Sequence, residues 1–183
     1  VALFVGRVAH EKNIDFLLQM CVRLRELVPK VLLIIAGEGP AEAHVKALTA
    51  RLGLQSNVMF VGYMDRATTL RDCYSAADIF TFASRTETQG LVLLEALAQG
   101  TPVVSTAVMG TADVLRDVKG AIKSVEDIET FAQHCATLLI DIDLRDALAA
   151  QAPDDAKAWS SRAMALRLTA IYEGVLANHK ARL

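Results

Sequence analysis

Residues 78–105 read DIFTFASRTETQGLVLLEALAQGTPVVS. This stretch begins with an apolar segment of strand length, 78–83, and passes through a polar loop into a helical segment, 90–99. A third segment, 102–105, again has the length of a strand. A strand, a helix and a strand in close succession predict a βαβ unit, whose two strands lie parallel in one sheet.

The same alternation continues on both sides of this unit. Further strands are predicted at 1–5, 31–36 and 57–61 and shortly after Gly120, and further helices at 13–27, before residue 52, and at 68–76, 125–140, 143–150 and 157–176. A turn at Pro153 is predicted between the last two helices. Repeated βαβ units predict an α/β fold with a doubly wound, Rossmann-like parallel sheet, which binds ligands beyond the carboxyl ends of its strands.

Composition narrows the function classes. The 183 residues are 53% apolar and 22% charged, which suits one globular domain. The formal net charge of −2 argues against a nucleic-acid binder.

Cys21, Cys73 and Cys135 lack CxxC spacing, so we expect them to pack as small apolar side chains in a reducing cytoplasm. The four histidines show no metal-ligand spacing, and we expect no metal site.

Two turns after predicted strands carry residues that packing does not require. Gly6 and Arg7, followed by Glu11 and Lys12, suit a phosphate-bearing ligand, although a solvated loop would carry the same residues. The second turn, GEGP at 37–40, lacks the full GxGxxG spacing of a dinucleotide site. We therefore predict a plain β-to-α turn there.

A third turn lies inside the quoted βαβ unit. Gly90 opens its helix, and a helix start offers free N–H groups and a partial positive charge to a diphosphate. Glu95 stands among leucines further along this helix and needs hydrogen-bond donors if it is buried. A ribose diol would supply two donors, and Glu87 could bind sugar hydroxyls in the same way. The alternative is an internal salt bridge to a lysine or arginine elsewhere in the fold.

At this motif the sequence resembles the retaining family 4 glycosyltransferases, which have the GT-B fold. The resemblance rests on the E-x7-E spacing from Glu87 to Glu95 and on ALAQGTPVV at 96–104. The matching segments FVGR at 4–7, AGEGP at 36–40, FVGY at 60–63 and YSAAD at 74–78 follow in the family's order. The resemblance covers residues 1–104 and is weaker beyond. It implies that residues 1–183 form the nucleotide-sugar-binding, C-terminal half of a GT-B fold.

The resemblance also implies a role for each matching residue. Arg7 and Lys12 would neutralise the diphosphate, and Glu87 would bind the transferred sugar; these three are the implied catalytic residues. Glu95 would bind the ribose hydroxyls. The other implied donor-binding residues are Gly6, Tyr63, Met64, Thr88, Gln89, Gly90 and Leu91. The N–H groups of Gly90 and Leu91 would hold the diphosphate, and the main chain at Tyr63 and Met64 would border the base.

Two segments depart from the family pattern. Residues 87–90 read ETQG where many relatives have Glu-Gly-Phe-Gly, so the surroundings of the donor sugar are open. This stretch, with Gln89, is similar to that of enzymes that glycosylate diacylglycerol-type lipids. Residues 108–113 read VMGTAD where relatives carry Gly-Gly and a glutamate, and the consequence of Met109 and Asp113 is open.

The start of the chain suggests that a domain is missing. The chain opens inside a predicted strand without a leader, and we expect an N-terminal acceptor domain to precede it. No apolar run reaches the roughly 18 residues of a transmembrane helix. In GT-B relatives the terminal helix, here within 155–183, crosses to the other domain, so we expect part of its apolar stripe to be exposed. Complete packing on its own domain is the alternative. The stripe comprises Trp159, Ala163, Leu166, Ala170 and Ile171.

The implied activity is transfer of a hexose from a nucleoside-diphosphate sugar, a UDP-sugar, with retention of configuration and without a metal or cofactor. The acceptor would be a lipid or cell-envelope glycan held by the missing domain, at the cytoplasmic face of the membrane. One alternative is another GT-B enzyme, such as a nucleotide-sugar epimerase or a phosphorylase. The other is a non-catalytic regulatory domain that binds a nucleotide sugar.

Overall fold

A parallel sheet runs through the centre of the computed structural model, which describes residues 1–66 and 68–180. Its six strands within these residues, β1 to β6, are Ala2–Val5, Leu33–Ala36, Val58–Gly62, Ile79–Phe82, Val103–Ser105 and Ala121–Lys123. The strands are rich in β-branched and aromatic residues and are buried on both faces in the centre of the sheet, as covered parallel strands are. The predicted parallel sheet is confirmed.

Helices follow the strands in chain order. Within the same residues, α1 to α8 are Ile14–Leu27, Glu42–Arg51, Thr69–Ala76, Leu91–Ala98, Gly110–Val114, Ile128–Ile140, Ile142–Lys157 and Ser161–Lys180, and His10–Lys12 forms a 3-10 turn. Three of the helix starts within the described residues have a side-chain cap, and at α8 the Ala163 N–H donates to Oγ of Ser160 at 3.3 Å. The Asp127 carboxylate accepts from the Thr130 N–H at the start of α6, and Asp141 accepts from Leu144 at the start of α7, both at 2.9 Å.

The order of the strands decides where a ligand can bind. The sheet runs β3-β2-β1-β4-β5-β6, so the chain winds outward in one direction from β1 and in the other from β4. The register pairs Ala2 of β1 with Ile79 of β4. Connections that leave β1 and β4 in opposite directions open a crevice between their carboxyl ends, where doubly wound sheets bind ligands. Residues following Val5 and Phe82 therefore face one another.

Two helical layers cover the sheet. α1, α2 and α6 pack together on one side, and α4 packs with α3 and α7 on the other. Phe4, Phe80 and Phe82 stack in the core, with centroids 6.0 Å apart in each neighbouring pair. Cys21 and Cys135 are buried and free, as the packing interpretation predicted, and burial raises the pKa of the Cys21 thiol to about 11.

The late helices differ from the prediction at Pro153. The predicted turn there is wrong, because Pro153 lies inside α7, which ends at Lys157. A proline inside a helix removes one backbone hydrogen bond and crowds the preceding turn, which made a break the reasonable expectation. The packing of α7 on α4 and the burial of Ala152 offset this cost. The short helix α5 was not predicted, since five residues give too little periodicity to detect.

The last helix, α8, exposes the apolar stripe as expected. Leu166, Ile171 and Val175 are 64%, 60% and 61% exposed. Complete packing of this stripe on its own domain is therefore excluded. The start of the segment does pack locally, because Trp159 contacts the core and the Arg167 guanidinium lies over its ring at 5.6 Å. No helix in the described part of the chain is long and apolar enough to span a membrane.

Candidate functional site

A cleft of two adjoining cavities opens at the carboxyl ends of β1 and β4. The first has a volume of about 330 Å³ and the second about 380 Å³. Val5, Gly6, Arg7 and Val92 line both cavities, so the two form one continuous cleft. Its position is the one that the strand order predicts.

The first cavity is built around an ion pair between Lys12 and Glu87. The Nζ atom of Lys12 donates to Oε1 of Glu87, and the two side chains are only 18% and 17% exposed. These residues meet because β1 and β4 are neighbours and because their loops are joined directly. The Arg85 N–H donates to the carbonyl oxygen of Glu11 at 3.2 Å. The resulting site carries one cation and one anion largely shielded from water.

Arg7 lies at the boundary of the two cavities. Its guanidinium donates to the carboxylate of Glu11, and its side chain is largely exposed. An exposed ion pair between residues four apart contributes little stability, so Arg7 can change partners at low cost. A dianionic ligand in the cleft would compete with Glu11 for Arg7 and with Glu87 for Lys12.

The start of α4 forms the floor of the first cavity. Gly90 precedes the helix with a φ of +60°, and an added Cβ would lie 2.9 Å from Cγ2 of Thr111. Both the backbone angle and the close approach require glycine. Within residues 1–66 and 68–180, no side chain caps the first turn of α4. Its first N–H groups are therefore available to an anion, as helix starts commonly are.

Glu95 dominates the second cavity, together with residues that the sequence did not identify. The Arg66 guanidinium donates to Oε1 of Glu95, and the Tyr74 hydroxyl donates to Oε2 at 3.0 Å. Burial and the charge of Glu95 raise the pKa of Tyr74, and the hydrogen bond to Glu95 raises the pKa of Arg66. The internal salt bridge left open as an alternative is thus present. Glu95 still lines the cavity and is 30% exposed, so its proposed contact with a ribose stays a prediction.

The GEGP turn at 37–40 does more than reverse the chain. Gly37 and Glu38 line the second cavity, and the Tyr63 N–H donates to Oε1 of Glu38 at 3.3 Å. A Cβ at Gly37 would lie 2.0 Å from the carbonyl oxygen of Gly6, so only glycine fits between these loops. The prediction of a plain turn was therefore incomplete, and the neighbouring glycines were the signal for close backbone approach.

The structure brings all the predicted site residues together. The residues that line one or both cavities are Gly6, Arg7, Lys12, Tyr63, Met64, Glu87, Thr88, Gln89, Gly90, Leu91 and Glu95. Arg66, Leu70 and Glu38 also line the cleft and were missed, as was Tyr74 behind Glu95. Arg66 lies in a polar loop with no local pattern, so only the tertiary structure could reveal its contact.

Among the described residues, no histidine lines either cavity. His44 contacts the Asp15 carboxylate at 2.7 Å, and its ring lies 5.3 Å from that of His10. Sequence spacing had not indicated this His–Asp contact. Among residues 1–66 and 68–180 no group of three or more histidine, cysteine or acidic side chains is arranged to hold a metal ion.

A doubly wound parallel sheet with a charged, glycine-lined cleft at its switch point defines a Rossmann-like ligand-binding domain. The chain belongs to the group 1 glycosyltransferases, because the family model for glycosyl transferases group 1 matches residues 1–155. An uncharacterized glycosyltransferase of Methanocaldococcus jannaschii is 31% identical over 84% of this chain. The lipopolysaccharide core biosynthesis glycosyltransferase LpsE of Rhizobium meliloti is 34% identical over 81% of it. This chain spans only 39% and 42% of the length of these relatives.

A third relative matches a shorter part of the chain. The alpha-monoglucosyldiacylglycerol synthase of Streptococcus pneumoniae is 40% identical over 56% of this chain, which covers 23% of that protein. The chain therefore aligns with less than half of each relative described, and these alignments bear on the family rather than on a whole enzyme.

Solved structures agree on the fold. The sucrose-phosphate synthase of Thermosynechococcus elongatus superposes with a TM-score of 0.82 and 26% identity, covering 97% of this chain and 45% of that one. The structure of a TarM mutant of S. aureus, in complex with Fondaparinux, alpha-GlcNAc-glycerol and UDP, superposes with a TM-score of 0.78 and 24% identity. It covers 84% of this chain and 31% of that one. The structural neighbours are GT-B glycosyltransferases, and the predicted fold class is confirmed.

Proposed function

We propose that this chain is the donor-binding, C-terminal domain of a retaining family 4 glycosyltransferase that moves a hexose from a UDP-sugar to an acceptor. The observation that carries the proposal is the placement of the enclosed Lys12–Glu87 pair beside the glycine-opened start of α4. A cation, a carboxylate and free N–H groups in one cavity match a diphosphate joined to a sugar. The adjoining cavity, with Glu95, has room for the nucleoside.

The diphosphate accounts for the cations of the cleft. Arg7 and Lys12 would leave their present carboxylate partners and bind phosphate oxygens, while the N–H groups of Gly90 and Leu91 complete the site. Charge that develops on the leaving diphosphate would then be stabilised by donors already in place. No metal or cofactor is needed for this role.

The sugar and the nucleoside account for the carboxylates. Once Lys12 turns to phosphate, the Glu87 carboxylate is free to accept hydrogen bonds from hydroxyls of the transferred hexose. The anomeric C–O bond breaks with its electron pair leaving on the diphosphate, and the acceptor hydroxyl oxygen bonds to the anomeric carbon with retention of configuration. The proton of that hydroxyl passes to a base in the part of the enzyme outside this chain. Glu95 accepts from the ribose hydroxyls, and the main chain at Tyr63 and Met64 borders the base. Thr88 and Gln89 line the sugar side of the first cavity.

The acceptor belongs to the part of the enzyme outside this chain. A lipid or a cell-envelope glycan is favoured, because relatives are named for lipopolysaccharide core and glucosyldiacylglycerol synthesis. α8, with its exposed apolar stripe, would cross to an N-terminal acceptor domain. The enzyme would act in the cytoplasm at the inner face of the membrane. The alternative of a non-catalytic regulatory domain predicts donor binding without turnover.

Titration calorimetry and transfer assays test the proposal. We expect this chain alone to bind UDP weakly and to transfer nothing, and the full-length protein to hydrolyse or transfer the donor. Mass spectrometry of the nucleotide sugar retained by full-length protein would identify the donor. Turnover by this chain alone would contradict the need for a second domain. UDP binding without donor hydrolysis or transfer by the full-length protein would favour the regulatory alternative.

A further inference from the structure

Residues 107–111 lie against the loop that carries Glu87, and the contact is made by backbone. The Gly110 N–H donates to the carbonyl oxygen of Glu87 at 2.9 Å. A Cβ added at Gly110 would lie 2.0 Å from the carbonyl oxygen of Thr88, which leaves no room for a side chain. The backbones of these two segments therefore touch directly behind the Glu87 carboxylate that faces Lys12.

A second contact is made further along the same loop, where it meets α4. Thr111 packs against Gly90, because a Cβ added at Gly90 would lie 2.9 Å from Cγ2 of Thr111. Thr111 is buried, and its hydroxyl donates to the carbonyl oxygen of Val108 at 2.6 Å. Residues 107–111 thus contact the loop at Glu87 and again at the start of α4, so the second half of the loop is held at two points.

Backbone strain accompanies these contacts. Met109 has φ 53° and ψ −132°, and Ala107 has a φ of 50°, values that glycine adopts far more easily than other residues. The Met109 side chain is 61% exposed, so its own packing does not explain the conformation. Strained residues persist where the surroundings fix them, and here the fixed neighbour is the Gly110–Glu87 contact.

We propose that residues 107–111 position the Glu87 loop so that its carboxylate meets the transferred sugar. This inference rests on the proposed function and adds positioning residues to it. None of residues 107–111 lines either cavity, so they act through the loop and not on the donor. The nucleoside side of the cleft, around Glu95, is built by other elements. Disturbing residues 107–111 should therefore affect turnover and spare UDP binding.

The variant that tests this is Gly110→Ala in the full-length protein. The added methyl group must displace the backbone at Thr88, and displacement of a reacting group by about 1 Å costs roughly 100-fold in rate. We expect kcat to fall roughly 10- to 100-fold while the Kd for UDP changes less than about twofold. Thr111→Val is a milder second variant, because it keeps the shape and removes the hydrogen bond to Val108. It should show the same split with a smaller loss.

Gly120→Ala is the matched control. Its Cβ would lie 2.7 Å from Cα of Ala152, so it too conflicts with backbone, but Gly120 precedes β6 at the amino edge of the parallel sheet, whereas the Glu87 loop follows β4 at the carboxyl edge. This variant should lower the melting temperature and leave kcat per folded molecule unchanged. A fall in kcat equal to that of Gly110→Ala would show that any backbone conflict disturbs turnover, and the positioning role would be lost.

Hydrogen exchange separates this inference from the proposed function. Amides of residues 86–90 should exchange faster in Gly110→Ala and Thr111→Val than in the wild type, and at the wild-type rate in Gly120→Ala. Unchanged exchange in both variants would overturn the positioning role whether or not the protein is active. Faster exchange in the two variants of a protein whose wild type neither binds UDP nor turns over a donor would refute the proposed function alone.

Discussion

Each of the two cavities of the cleft contains an ion pair between a basic residue and a glutamate, but the two pairs differ in their exposure to water. Lys12 and Glu87 are 18% and 17% exposed, whereas Arg66 and Glu95 are 65% and 30% exposed. The first pair is held between two loops that close on each other, and the second joins a helix to an exposed loop side chain. Because screening by water weakens an exposed pair, substitution within the enclosed Lys12–Glu87 pair should have a larger effect than substitution of the exposed Arg66.

Glu87→Gln should produce the largest effect. The substitution keeps the shape of the side chain but removes the charged acceptor that the proposed function assigns to the sugar, and such a hydrogen bond contributes about 1.5–3 kcal/mol. If the contact tightens in the transition state, kcat of the full-length enzyme falls by roughly 10- to 100-fold while UDP affinity is nearly intact. Steady-state kinetics with the donor measures this.

A matched control is Glu129→Gln, which removes an exposed carboxylate that pairs with Arg23 and lines neither cavity. Its kcat should equal that of the wild type. If Glu87→Gln instead lowers activity only in proportion to a loss of folded protein, Glu87 is structural and the proposed contact with the sugar is wrong.

The contrast between the cavities also shows what sequence could reveal. Lys12 and Glu87 were identified because each follows a buried strand, and adjacent parallel strands bring such residues together. Glu95 was identified because a lone carboxylate in an apolar helix needs donors. Its actual donors, Arg66 and Tyr74, were not identified, since Arg66 lies in a loop without periodicity and Tyr74 in a helix with other possible partners. Pairing across the fold depends on tertiary geometry that a local pattern does not contain.

The fold was predictable for a related reason. Strand-length apolar runs alternating with helices determine a doubly wound sheet with little ambiguity, and the observed strands lie within or close to their predicted segments. The turn predicted at Pro153 was wrong because the sequence shows the destabilisation that a proline causes within a helix, but it does not show the packing of α7 on α4 that offsets it. Gly110 gave no hint of its close approach to Thr88, a residue distant in the chain.

Tyr74→Phe should have an intermediate effect, confined to the second cavity. The hydroxyl orients the Glu95 carboxylate, and a hydrogen bond to it contributes about 1 kcal/mol. The Kd for UDP should rise by roughly threefold to tenfold, with kcat at saturating donor little changed. Tyr172→Phe on the exposed face of α8 serves as the control and should leave the Kd unchanged. A loss of kcat without a change in Kd would reverse the assignment of the two cavities.

Arg66→Ala should have the smallest effect. The Arg66 side chain is largely exposed, and exposed ion pairs contribute about 0–1 kcal/mol to stability. The melting temperature should fall by only a few degrees, as expected for a loss of up to about 1 kcal/mol in the free energy of unfolding. UDP affinity should stay within about twofold of the wild type, because Glu95 remains oriented by Tyr74. A loss of affinity as large as that of a Glu95 substitution would show that Arg66 itself binds the nucleotide.

The division of roles between the two cavities is tested most directly by calorimetric titration of UDP into two full-length variants, Glu87→Gln and Glu95→Gln. Because the ribose is common to UDP and the UDP-sugar, Glu95→Gln should weaken UDP binding by about 1–3 kcal/mol. Glu87→Gln should bind UDP almost as tightly as the wild type, since UDP carries no sugar for it to contact. Equal losses of UDP affinity in the two variants would contradict the assignment of the sugar to one cavity and the nucleoside to the other.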